Sequence, residues 1–553
     1  MFKVELKLNG QHCNTVMFPK PITVREIVQG EDVCHKYPLA FRVGNEYVGQ
    51  DYQVTTNCRI ECVTHDSLDG MRIYQDTAIF MLMKAFHKLF PDSQHMVVEH
   101  SIGDGIYCEV FGGHEVTAED AARLKAQMQL IASEARPIER VKIPMHEATE
   151  RFTAMGRDDV LRNLRHLGKE QVWVYRCGDY WDYYIRQLAE NTSFVSEFDV
   201  AYHQPGLILR LPRWKEHTVP PQGDVPPKLY AMHQEHDKWL NILKLHYVYE
   251  LNDYTARYEI GEAIQVEEAL HEKKLVYIAD VIKQRKEARI VLIAGPSSSG
   301  KTTFAKRLYI QLRVNGLRPR IIGMDDYFLP RRLTPRKPDG ELDFECIEAL
   351  DLPMLNDHLT RLLAGEEVGL PRYNFQAGDR EENHQSMKLE PGDVIILEGI
   401  HGINDKLTES IAPEHKVRIY ISPLNQLNID RHNRIPTTDV RKVRRIVRDA
   451  KYRGYKAEDT LTRWAAIREG EEKNIFPFQE NADLMFNSSL TYELGVLKKH
   501  AMPLLLEVRE NSPVYPEATR LGRILDHFLD IPDNFVPSNS LLREFTFGSV
   551  FKY

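Results

Sequence analysis

The feature that most constrains this chain is the stretch from Arg289 to Thr303, which reads RIVLIAGPSSSGKTT. A short apolar run ends at Gly295, and four residues separate that glycine from Gly300-Lys301-Thr302. Apolar residues then recur at helical spacing, at Phe304, Leu308 and Leu312. This order predicts a buried strand, a glycine-rich phosphate loop and the N-terminus of a helix.

Such a loop is suited to hold a polyphosphate. Glycines let backbone N–H groups point inward, and the helix N-terminus adds a positive dipole. Lys301 is expected to reach the β- and γ-phosphates, and the Thr302 hydroxyl to bind Mg²⁺. A glycine-serine surface turn is the alternative, which the strand-to-helix context disfavours. We therefore predict an ATP or GTP phosphate site formed by Gly295, Ser297, Ser298, Ser299, Gly300, Lys301, Thr302 and Thr303.

Length and composition are those of a multi-domain globular chain. The 553 residues suggest about three or four domains, and 42% hydrophobic residues allow ample core. A net charge of −8 argues against a nucleic-acid-binding surface along the whole chain, but not against a local basic patch. Seven cysteines without a Cys-x-x-Cys pair favour neither a metal cluster nor a disulfide framework. We expect a reducing compartment, no membrane span and a cytoplasmic location.

The order of patterns divides the chain into three parts. Residues 1–65 alternate apolar and polar side chains, residues 66–270 mix helical and strand patterns, and residues 271–553 alternate apolar runs with helical stretches. Continuous apolar runs are typical of strands buried on both faces, so the third part is predicted to be an α/β fold, a parallel sheet with helices on both faces. The runs are Val291–Ala294, Arg320–Gly323, Val394–Leu397, Val417–Ile421, Leu484–Phe486 and Leu504–Val508.

Acidic residues follow two of these predicted strands. Asp325 and Asp326 come just after Gly323, so their carboxylates are expected beside the nucleotide at the C-terminal edge of the sheet. A carboxylate there can accept the proton of a hydroxyl that attacks the γ-phosphoryl group. A turn or helix-capping pair is the alternative. Glu398 ends the strand Val394–Leu397, the usual position of an acid that holds Mg²⁺ directly or through water.

A basic cluster lies within residues 440–456, where Asp449 is the one acid. Four arginines of this cluster are predicted to share a helical face: Arg441, Arg444, Arg445 and Arg448. Such a face can close over a polyphosphate and neutralise charge on the transferred group. An RNA-binding strip is the alternative. Stacking aromatics appear only at Tyr452 and Tyr455, which favours the phosphate lid.

Taken together, these residues make the segment from about 285 to 500 resemble the uridine kinase/phosphoribulokinase family of phosphate-loop kinases. The lid pattern is close to that of uridine kinases, including Arg453-Gly454 after the four arginines. In the family pattern Asp325 matches the catalytic base, with Asp326 as the second candidate. The resemblance implies catalytic roles for Lys301, Asp325, Arg444 and Arg448, nucleotide contacts from Arg441 and Arg445, and Mg²⁺ contacts from Thr302 and Glu398.

In the segments that would bind the acceptor, two positions depart from the family pattern. Glu345 lies in the stretch that matches the family's ribose-contacting segment, at a position where uridine kinases have aspartate. The stretch Pro371–Phe375 matches the one whose tyrosine, here Tyr373, lines the nucleoside pocket. The family's pyrimidine-contacting histidine is replaced by Gly378, which leaves the identity of the nucleoside base open. The substrate-binding residues implied by the resemblance are Asp325, Glu345, Tyr373 and Arg441.

Three stretches of the N-terminal part have recognisable patterns: Thr77–Pro91, Ile102–Val110 and Val174–Asp182. Through these stretches the first 250 residues or so resemble the N-terminal part of threonyl-tRNA synthetases. Residues 1–65 follow the element order of their TGS module, a β-grasp fold, and residues 66–270 resemble their editing-type α+β domain, joined to a linker helix. The family's metal ligands fall on Phe80, Lys84, Tyr184 and Leu188, none of which binds a divalent metal at neutral pH. We therefore expect no aminoacyl-tRNA deacylase activity.

His233 and His236 lie at helical spacing in the linker region. Because zinc sites need three or four ligands and no third one is identifiable, the pair is interpreted as solvated histidines rather than as a metal site.

The sequence thus predicts an ATP- and Mg²⁺-dependent nucleoside kinase of the uridine or cytidine type. A kinase for a phosphosugar or vitamin precursor is an alternative that Glu345 and Gly378 leave open. An RNA-associated nucleotide switch is a second alternative, disfavoured because the guanine-reading Asn-Lys-x-Asp motif is absent. The N-terminal half is a candidate sensor of RNA, tRNA or an amino acid, and formation of a homo-oligomer is left open.

Overall fold

The structure is a computed structural model, and it describes residues 2–8, 11–30, 38–90, 95–103, 105–213, 217–221, 223, 225–337, 340–374 and 377–552. Within the described residues, no helix is long and apolar enough to cross a membrane.

The N-terminal module is a mixed sheet covered by one short helix. Its elements are β1 (Phe2–Leu8), β2 (Gln11–Phe18), β3 (Ile22–Thr23), α1 (Val24–Gly30), β4 (Ala40–Val43), β5 (Glu46–Val48), β6 (Gln53–Val54) and β7 (Cys58–Val63). The main sheet has the order β2-β1-β7-β4-β5, with β1 and β7 parallel. Thr23 caps α1, because its hydroxyl accepts from the Glu26 N–H at 3.2 Å while the Glu26 carboxylate accepts from the Thr23 N–H at 2.9 Å.

The second region is an α+β unit built around a long buried helix. Its elements are α2 (Leu68–Leu89), β8 (His95–Ile102), β9 (Gly105–Phe111), α3 (Ala118–Ser133), β10 (Glu139–Pro144), α4 (Met145–Ala154), α5 (Asp158–Leu167), β11 (Gln171–Cys177), β12 (Tyr180–Asp182), β13 (Asp199–His203) and β14 (Gly206–Arg210). The strands form two sheets, β13-β14-β9-β8 and β10-β11-β12. Helix α2 is buried along most of its length and supplies the centre of this core.

Three helices then lead into the C-terminal sheet: α6 (Pro227–Leu243), α7 (Val248–Ala256) and α8 (Ile260–Gln284). The remaining elements are β15 (Ile290–Ala294), α9 (Lys301–Val314), β16 (Arg318–Gly323), α10 (Leu352–Leu363), β17 (Glu367–Asn374), β18 (Asp379–Lys388), β19 (Asp393–Glu398), β20 (Lys416–Ser422), α11 (Thr437–Arg453), α12 (Ala457–Asn474), β21 (Leu484–Asn487), α13 (Glu493–Leu506) and α14 (Tyr515–Asp526). The predicted boundary at residue 270 falls inside α8.

The C-terminal sheet is parallel and has the order β16-β19-β15-β20-β21. Val291 and Ile293 of β15 pack against α8 and α9, whereas Ile290 and Leu292 pack on the other face against α10. The predicted α/β fold with helices on both faces is therefore confirmed. One predicted strand is wrong, because Leu504–Val508 begins within the last turn of α13 and continues into the loop after it.

The N-terminal half, residues 2–213, packs directly on the C-terminal half. The backbone N–H of Val98 donates to the carbonyl of Arg431 at 2.8 Å. Arg157 donates to Asp182 at 2.6 Å, and the other carboxylate oxygen of Asp182 lies 2.6 Å from Nδ1 of His432. These buried polar contacts fix the position of residues 428–433 against the α+β unit.

The interpretation of the two linker histidines is wrong. His233 and His236 are not solvated, since they are only 3% and 2% exposed and lie on the buried side of α6. Burial lowers the pKa of His236 to about 4, so it is neutral.

Among the cysteines in the described residues, Cys62 is disulfide-bonded while five others are free thiols.

Candidate active site

A cavity of about 500 Å³ opens at the C-terminal ends of β15, β16 and β19. The sheet topology explains its position, since the loops that leave neighbouring parallel strands converge at this edge. The cavity brings together most of the side chains that the sequence singled out. Its lining includes Ser297, Ser298, Lys301, Thr302, Asp325, Glu345, Tyr373, Glu398, Arg445 and Arg448.

The phosphate loop has the backbone that its glycines permit. Gly300 has a φ of +87° and precedes the first turn of α9, a conformation that glycine adopts without strain. A Cβ atom at Gly295 would lie 2.0 Å from the carbonyl oxygen of Ile421, so glycine is required there for close approach to β20. The loop therefore curls tightly between two buried strands and a helix N-terminus.

Several donors of the loop are bonded to oxygens of the chain itself. The Nζ of Lys301 donates to the carbonyls of Gly295 and Pro296 at 2.8 and 3.1 Å. The Ser297 N–H donates to Glu471 at 2.8 Å. The hydroxyl of Thr303 donates to Glu544 at 2.8 Å, and its N–H donates to the same oxygen at 3.2 Å.

Thr302 and Glu398 form the candidate magnesium site. The Thr302 hydroxyl donates to Glu398 Oε1 at 2.9 Å, and both residues line the cavity. Burial raises the pKa of Glu398, and the nearby Lys301 opposes that rise. A hydroxyl and a carboxylate are hard oxygen donors of the kind that Mg²⁺ prefers in phosphate sites. The residues present therefore fit a magnesium ion.

The two aspartates after β16 occupy different environments. Asp325 is accessible from the cavity but enclosed by protein, and this burial raises its pKa, with Lys301 opposing the rise. Asp326 turns away and accepts the backbone N–H of Tyr373 at 3.3 Å. The environment therefore distinguishes the two carboxylates: Asp325 faces the space beside Lys301, and Asp326 supports β17.

The four arginines of α11 that were predicted to share one face separate into two pairs. Arg445 and Arg448 line the cavity, and Arg445 donates to the Ser297 hydroxyl at 2.5 Å. Arg441 is 1% exposed and its Nε donates to the Ser297 carbonyl at 2.9 Å. Arg444 is fully buried, pairs with Glu493 and donates to the Ser488 carbonyl at 2.7 Å.

Arg441 and Arg444 therefore hold the phosphate loop from its protein side. Arg453, which follows the four in the lid pattern, lines the cavity with the first pair.

The acceptor end of the cavity is aromatic with one acid. Phe328 lies between Phe344 and Tyr373, with ring centroids 6.0 and 5.7 Å apart. Glu345 lies in the same wall, where burial raises its pKa and Glu471 adds to the rise. Phe375, the last residue of the stretch that contains Tyr373, lies outside the described residues.

Arg331 occupies the space that a side chain at Gly378 would take. A Cβ atom at Gly378 would lie 2.3 Å from Cδ of Arg331, and the Arg331 N–H donates to the Gly378 carbonyl at 3.0 Å. Arg331 also lines the cavity. The space beside Gly378 is thus filled by an arginine from another loop.

Sequence reasoning missed four residues of the site: Arg331, His401, Glu471 and Glu544. His401 has a detectable signal, because it follows the acid Glu398 by three residues on the same loop. The other three come from loops or helices whose approach to the phosphate loop has no local signature in the sequence.

The positions of the synthetase-type metal ligands form part of the N-terminal core. The rings of Phe80 and Tyr184 lie 5.9 Å apart, and Leu188 is completely buried. Lys84 donates to the Cys177 carbonyl at 2.8 Å. Apolar packing and a lysine–carbonyl hydrogen bond thus occupy these positions, and none of the four side chains is a metal ligand. The absence of deacylase activity remains a prediction.

Residues 290–494 match the model of the phosphoribulokinase/uridine kinase family. This segment is a domain of that family. Uridine kinases from Lactobacillus johnsonii and Halobacterium salinarum are 28% and 27% identical to the chain over 203 and 194 residues. The matches cover 36% and 35% of this chain and 87% and 77% of the relatives. These homologues of the kinase domain indicate an ATP-dependent kinase.

A curated relative of another kind matches the N-terminal part. The threonine–tRNA ligase of Clostridioides difficile is 28% identical over 167 residues, which are 30% of this chain. The match covers 26% of the ligase, so the chain spans about a quarter of that relative's length.

Two solved structures each match somewhat more than a third of the chain. A possible uridine kinase from Bacillus stearothermophilus is 21% identical, with a TM-score of 0.24, and covers 36% of this chain and 88% of its own. D-glycerate 3-kinase from Cryptococcus neoformans is 16% identical, with a TM-score of 0.26, and covers 38% and 89%.

Proposed function

We propose that the protein transfers the γ-phosphoryl group of ATP to the 5′-hydroxyl of a nucleoside, of the uridine or cytidine type. The observation that carries the proposal is one cavity lined by Lys301, Asp325, Glu398 and an aromatic wall. A phosphate loop, an enclosed carboxylate and a stacking pocket are the parts that such a transfer needs.

The reaction needs a base and a positioned acceptor. In the proposal, Asp325 accepts the proton of the acceptor hydroxyl as its oxygen forms a bond to the γ-phosphorus and the bond to ADP breaks. Burial raises the pKa of Asp325, which brings it closer to the acidity at which a carboxylate serves as a base near neutral pH.

The phosphates are held by the loop and the arginines. Lys301 would leave its loop carbonyls to contact the β- and γ-phosphates, and Arg445 and Arg448 would neutralise charge on the transferred group. Arg441 and Arg444 act as positioning residues behind the loop in this proposal, rather than contacting the reacting atoms. Mg²⁺ held by Thr302 and Glu398 would supply further charge neutralisation on the phosphates.

The nucleoside assignment depends on the acceptor pocket. Glu345 is an acceptor suited to ribose hydroxyls, and Phe328, Phe344 and Tyr373 offer faces on which a base can stack. Uridine kinases among the relatives of the kinase domain support this choice.

A second acceptor is favoured by Arg331. A guanidinium at the end of the cavity is suited to a phosphate or carboxylate on the acceptor, as in a phosphosugar. Arg331→Ala separates the two cases: it should raise the KM of a phosphosugar strongly, whereas a nucleoside would be affected little.

The test is ADP release by the full-length protein with Mg²⁺ and ATP against uridine, cytidine, thymidine, purine nucleosides and ribulose 5-phosphate. Stimulation by a nucleoside supports the proposal, and stimulation by the phosphosugar alone supports the second acceptor. ATP binding without stimulation by any acceptor would overturn both and favour an RNA-associated nucleotide switch, for which the N-terminal half would bind RNA or tRNA.

A further inference from the structure

A second cavity, of about 580 Å³, lies where the N-terminal half and helix α6 face the kinase domain. One wall comes from the start of α2, the end of β8 and the helix α6. The opposite wall comes from the start of α11 and from α12. We call this space the interhalf cavity. The described residues that line it are all different from those that line the active-site cavity, and Arg441 lies between the two spaces.

Arg434 is a buried cation in this cavity that lacks a carboxylate partner in the described parts of the chain. It is 7% exposed and donates from Nη1 to the Ser101 hydroxyl at 2.5 Å, while its Nε has no acceptor there. Burial lowers its pKa to about 10 and Arg186 adds to the fall, whereas the carboxylates of Asp76 and Asp439 oppose it from beyond ion-pair distance. Arginine is rarely buried unless it is paired, so this guanidinium points to an anion.

The neighbouring cations of the same cavity do not share this property. Arg72 pairs with Glu517 at 2.7 Å, and Arg186 pairs with Asp76 at 2.7 Å. Lys442 is also paired with Glu517, Arg441 with Glu471 and Arg468 with Glu472. The positive charge that remains without a carboxylate in the described wall is therefore localised at Arg434.

Two histidines add unsatisfied polar groups beside it. The rings of His100 and His233 are stacked, with centroids 3.6 Å apart and planes 9° apart. Both are buried, at 6% and 3% exposure, and no described residue hydrogen-bonds to any of their four ring nitrogens. Burial lowers the pKa of His100 to about 3, so its ring is neutral and offers one donor and one acceptor.

We propose that the interhalf cavity binds a small anionic metabolite, whose carboxylate or phosphate group pairs with Arg434 and whose polar groups hydrogen-bond to His100 and His233. Native proteins rarely leave buried polar atoms without partners, and a ligand would satisfy these. Anions of both kinds match a guanidinium, which presents paired N–H groups.

The cavity is connected to the phosphate loop through Arg441. This side chain lines the interhalf cavity and donates to the Ser297 carbonyl on its other side. Glu471 accepts from Arg441 and also from the Ser297 N–H. A ligand that shifts Arg441 would therefore change the affinity of the loop for ATP, and ATP would change the affinity for the ligand by the same factor. This coupling rests on the proposed function, whereas ligand binding does not.

Binding is tested on the full-length protein by calorimetric titration with inorganic phosphate and, separately, with succinate. A saturating non-hydrolysable ATP analogue with Mg²⁺ keeps phosphate out of the active site. We expect one anion to bind at a single site, and Arg434→Met to weaken this binding at least tenfold. Arg285→Met is the matched control, because that exposed arginine pairs with Asp483 elsewhere on the surface. Failure of both anions to bind, or undiminished binding to Arg434→Met, overturns the site.

A second variant that preserves the packing separates loss of binding from loss of folding. His100→Phe preserves a flat ring against His233 while it removes both nitrogens, and it leaves Arg434 intact. We expect several-fold weaker binding with unchanged protein stability, and unchanged affinity would overturn the role of the histidine pair. Arg434→Met should melt no lower than the wild type, because an apolar side chain replaces an incompletely paired buried charge. A large fall in melting temperature would mean that Arg434 is structural.

The coupling is read from the KM for ATP with and without the bound anion. A several-fold shift that disappears in Arg434→Met supports it, and an unchanged KM despite binding overturns the coupling. Absence of phosphoryl transfer to every acceptor would instead contradict the proposed function, so the two failures are distinguishable.

Discussion

Replacement of Asp325 by asparagine tests the chemistry most directly. The substitution keeps the shape of the side chain and removes its capacity to accept a proton. Because Asp325 faces the cavity beside Lys301, while Asp326 is turned toward β17, no second carboxylate of this pair can replace it. A general base contributes about 10²- to 10⁴-fold to a rate. We therefore expect kcat to fall by that factor, which corresponds to about 3–5 kcal/mol in the activation free energy.

ATP binding should survive in Asp325→Asn. The phosphate contacts come from the loop, and removal of a negative charge near Lys301 does not weaken the binding of a polyanion such as ATP. The assay is steady-state ADP release with the best acceptor, combined with calorimetric binding of a non-hydrolysable ATP analogue. The wild-type rate should fall as pH drops through the raised pKa of Asp325, because the base must be ionised, and this acid limb should vanish in the variant.

Asp326→Asn is the matched control. Its side-chain oxygen can still accept the Tyr373 N–H, so we expect less than about a tenfold change in kcat, the worth of one modest hydrogen bond. Turnover of Asp325→Asn within threefold of the wild type, or an equal loss in both variants, would refute the assignment of Asp325 as the base.

Three further predictions concern the loop and the core. Thr302→Val should raise the Mg²⁺ concentration needed for half-maximal activity about 10- to 100-fold, since it removes one hydrogen-bonding oxygen beside Glu398; an unchanged Mg²⁺ titration would contradict the magnesium site. Gly295→Ala should lower the free energy of unfolding by about 1–3 kcal/mol and abolish ATP binding, because its Cβ meets a backbone carbonyl at 2.0 Å, as denaturant titration and calorimetry would show. Burial raises the pKa of Glu267 to about 8, so its folded form holds a proton that the unfolded form releases near pH 4.5. Its contribution to stability should therefore be full below about pH 4.5 and be lost as pH rises through 8, and Glu267→Gln should flatten this slope in thermal melts; an identical slope in both proteins would contradict the buried carboxylic acid.

Much of the site could be predicted because its signals are local. The phosphate loop lies in one stretch of sequence, and its strand and helix are its immediate neighbours. Asp325 lies just beyond β16 and Glu398 ends β19, and parallel strands deliver such residues to one edge of a sheet. Sequence spacing therefore sufficed to place these residues around one cavity.

The orientation of side chains on α11 could not be predicted. Helical spacing assigned four arginines to one face of α11. In the structure this face contacts two different surroundings, the cavity on one side and α13 on the other. Arg445 and Arg448 reach the cavity, whereas Arg444 pairs with Glu493 behind the loop. This division depends on where α13 packs, which no local pattern encodes.

The errors have the same origin. Leu504–Val508 is a short apolar run, and such runs do not distinguish a strand from a buried helix end. The burial of His233 results from its stacking on His100, a residue of a distant strand. Arg331 fills the space beside Gly378 only because two loops meet there. Long-range packing decided each of these outcomes.

The contact between Arg157, Asp182 and His432 has a consequence for how such a chain can be recombined. The first two residues belong to the synthetase-like half and the third to the kinase half, yet all three are buried in one network. A chimera whose kinase domain carried another residue in place of His432 would keep the buried arginine and aspartate while losing their histidine partner. Since removal of one member of a buried charged network is costly, a working graft would have to transfer His432 with its loop. The synthetase-like half and the kinase half of this chain can therefore be exchanged only together with the residues of this network.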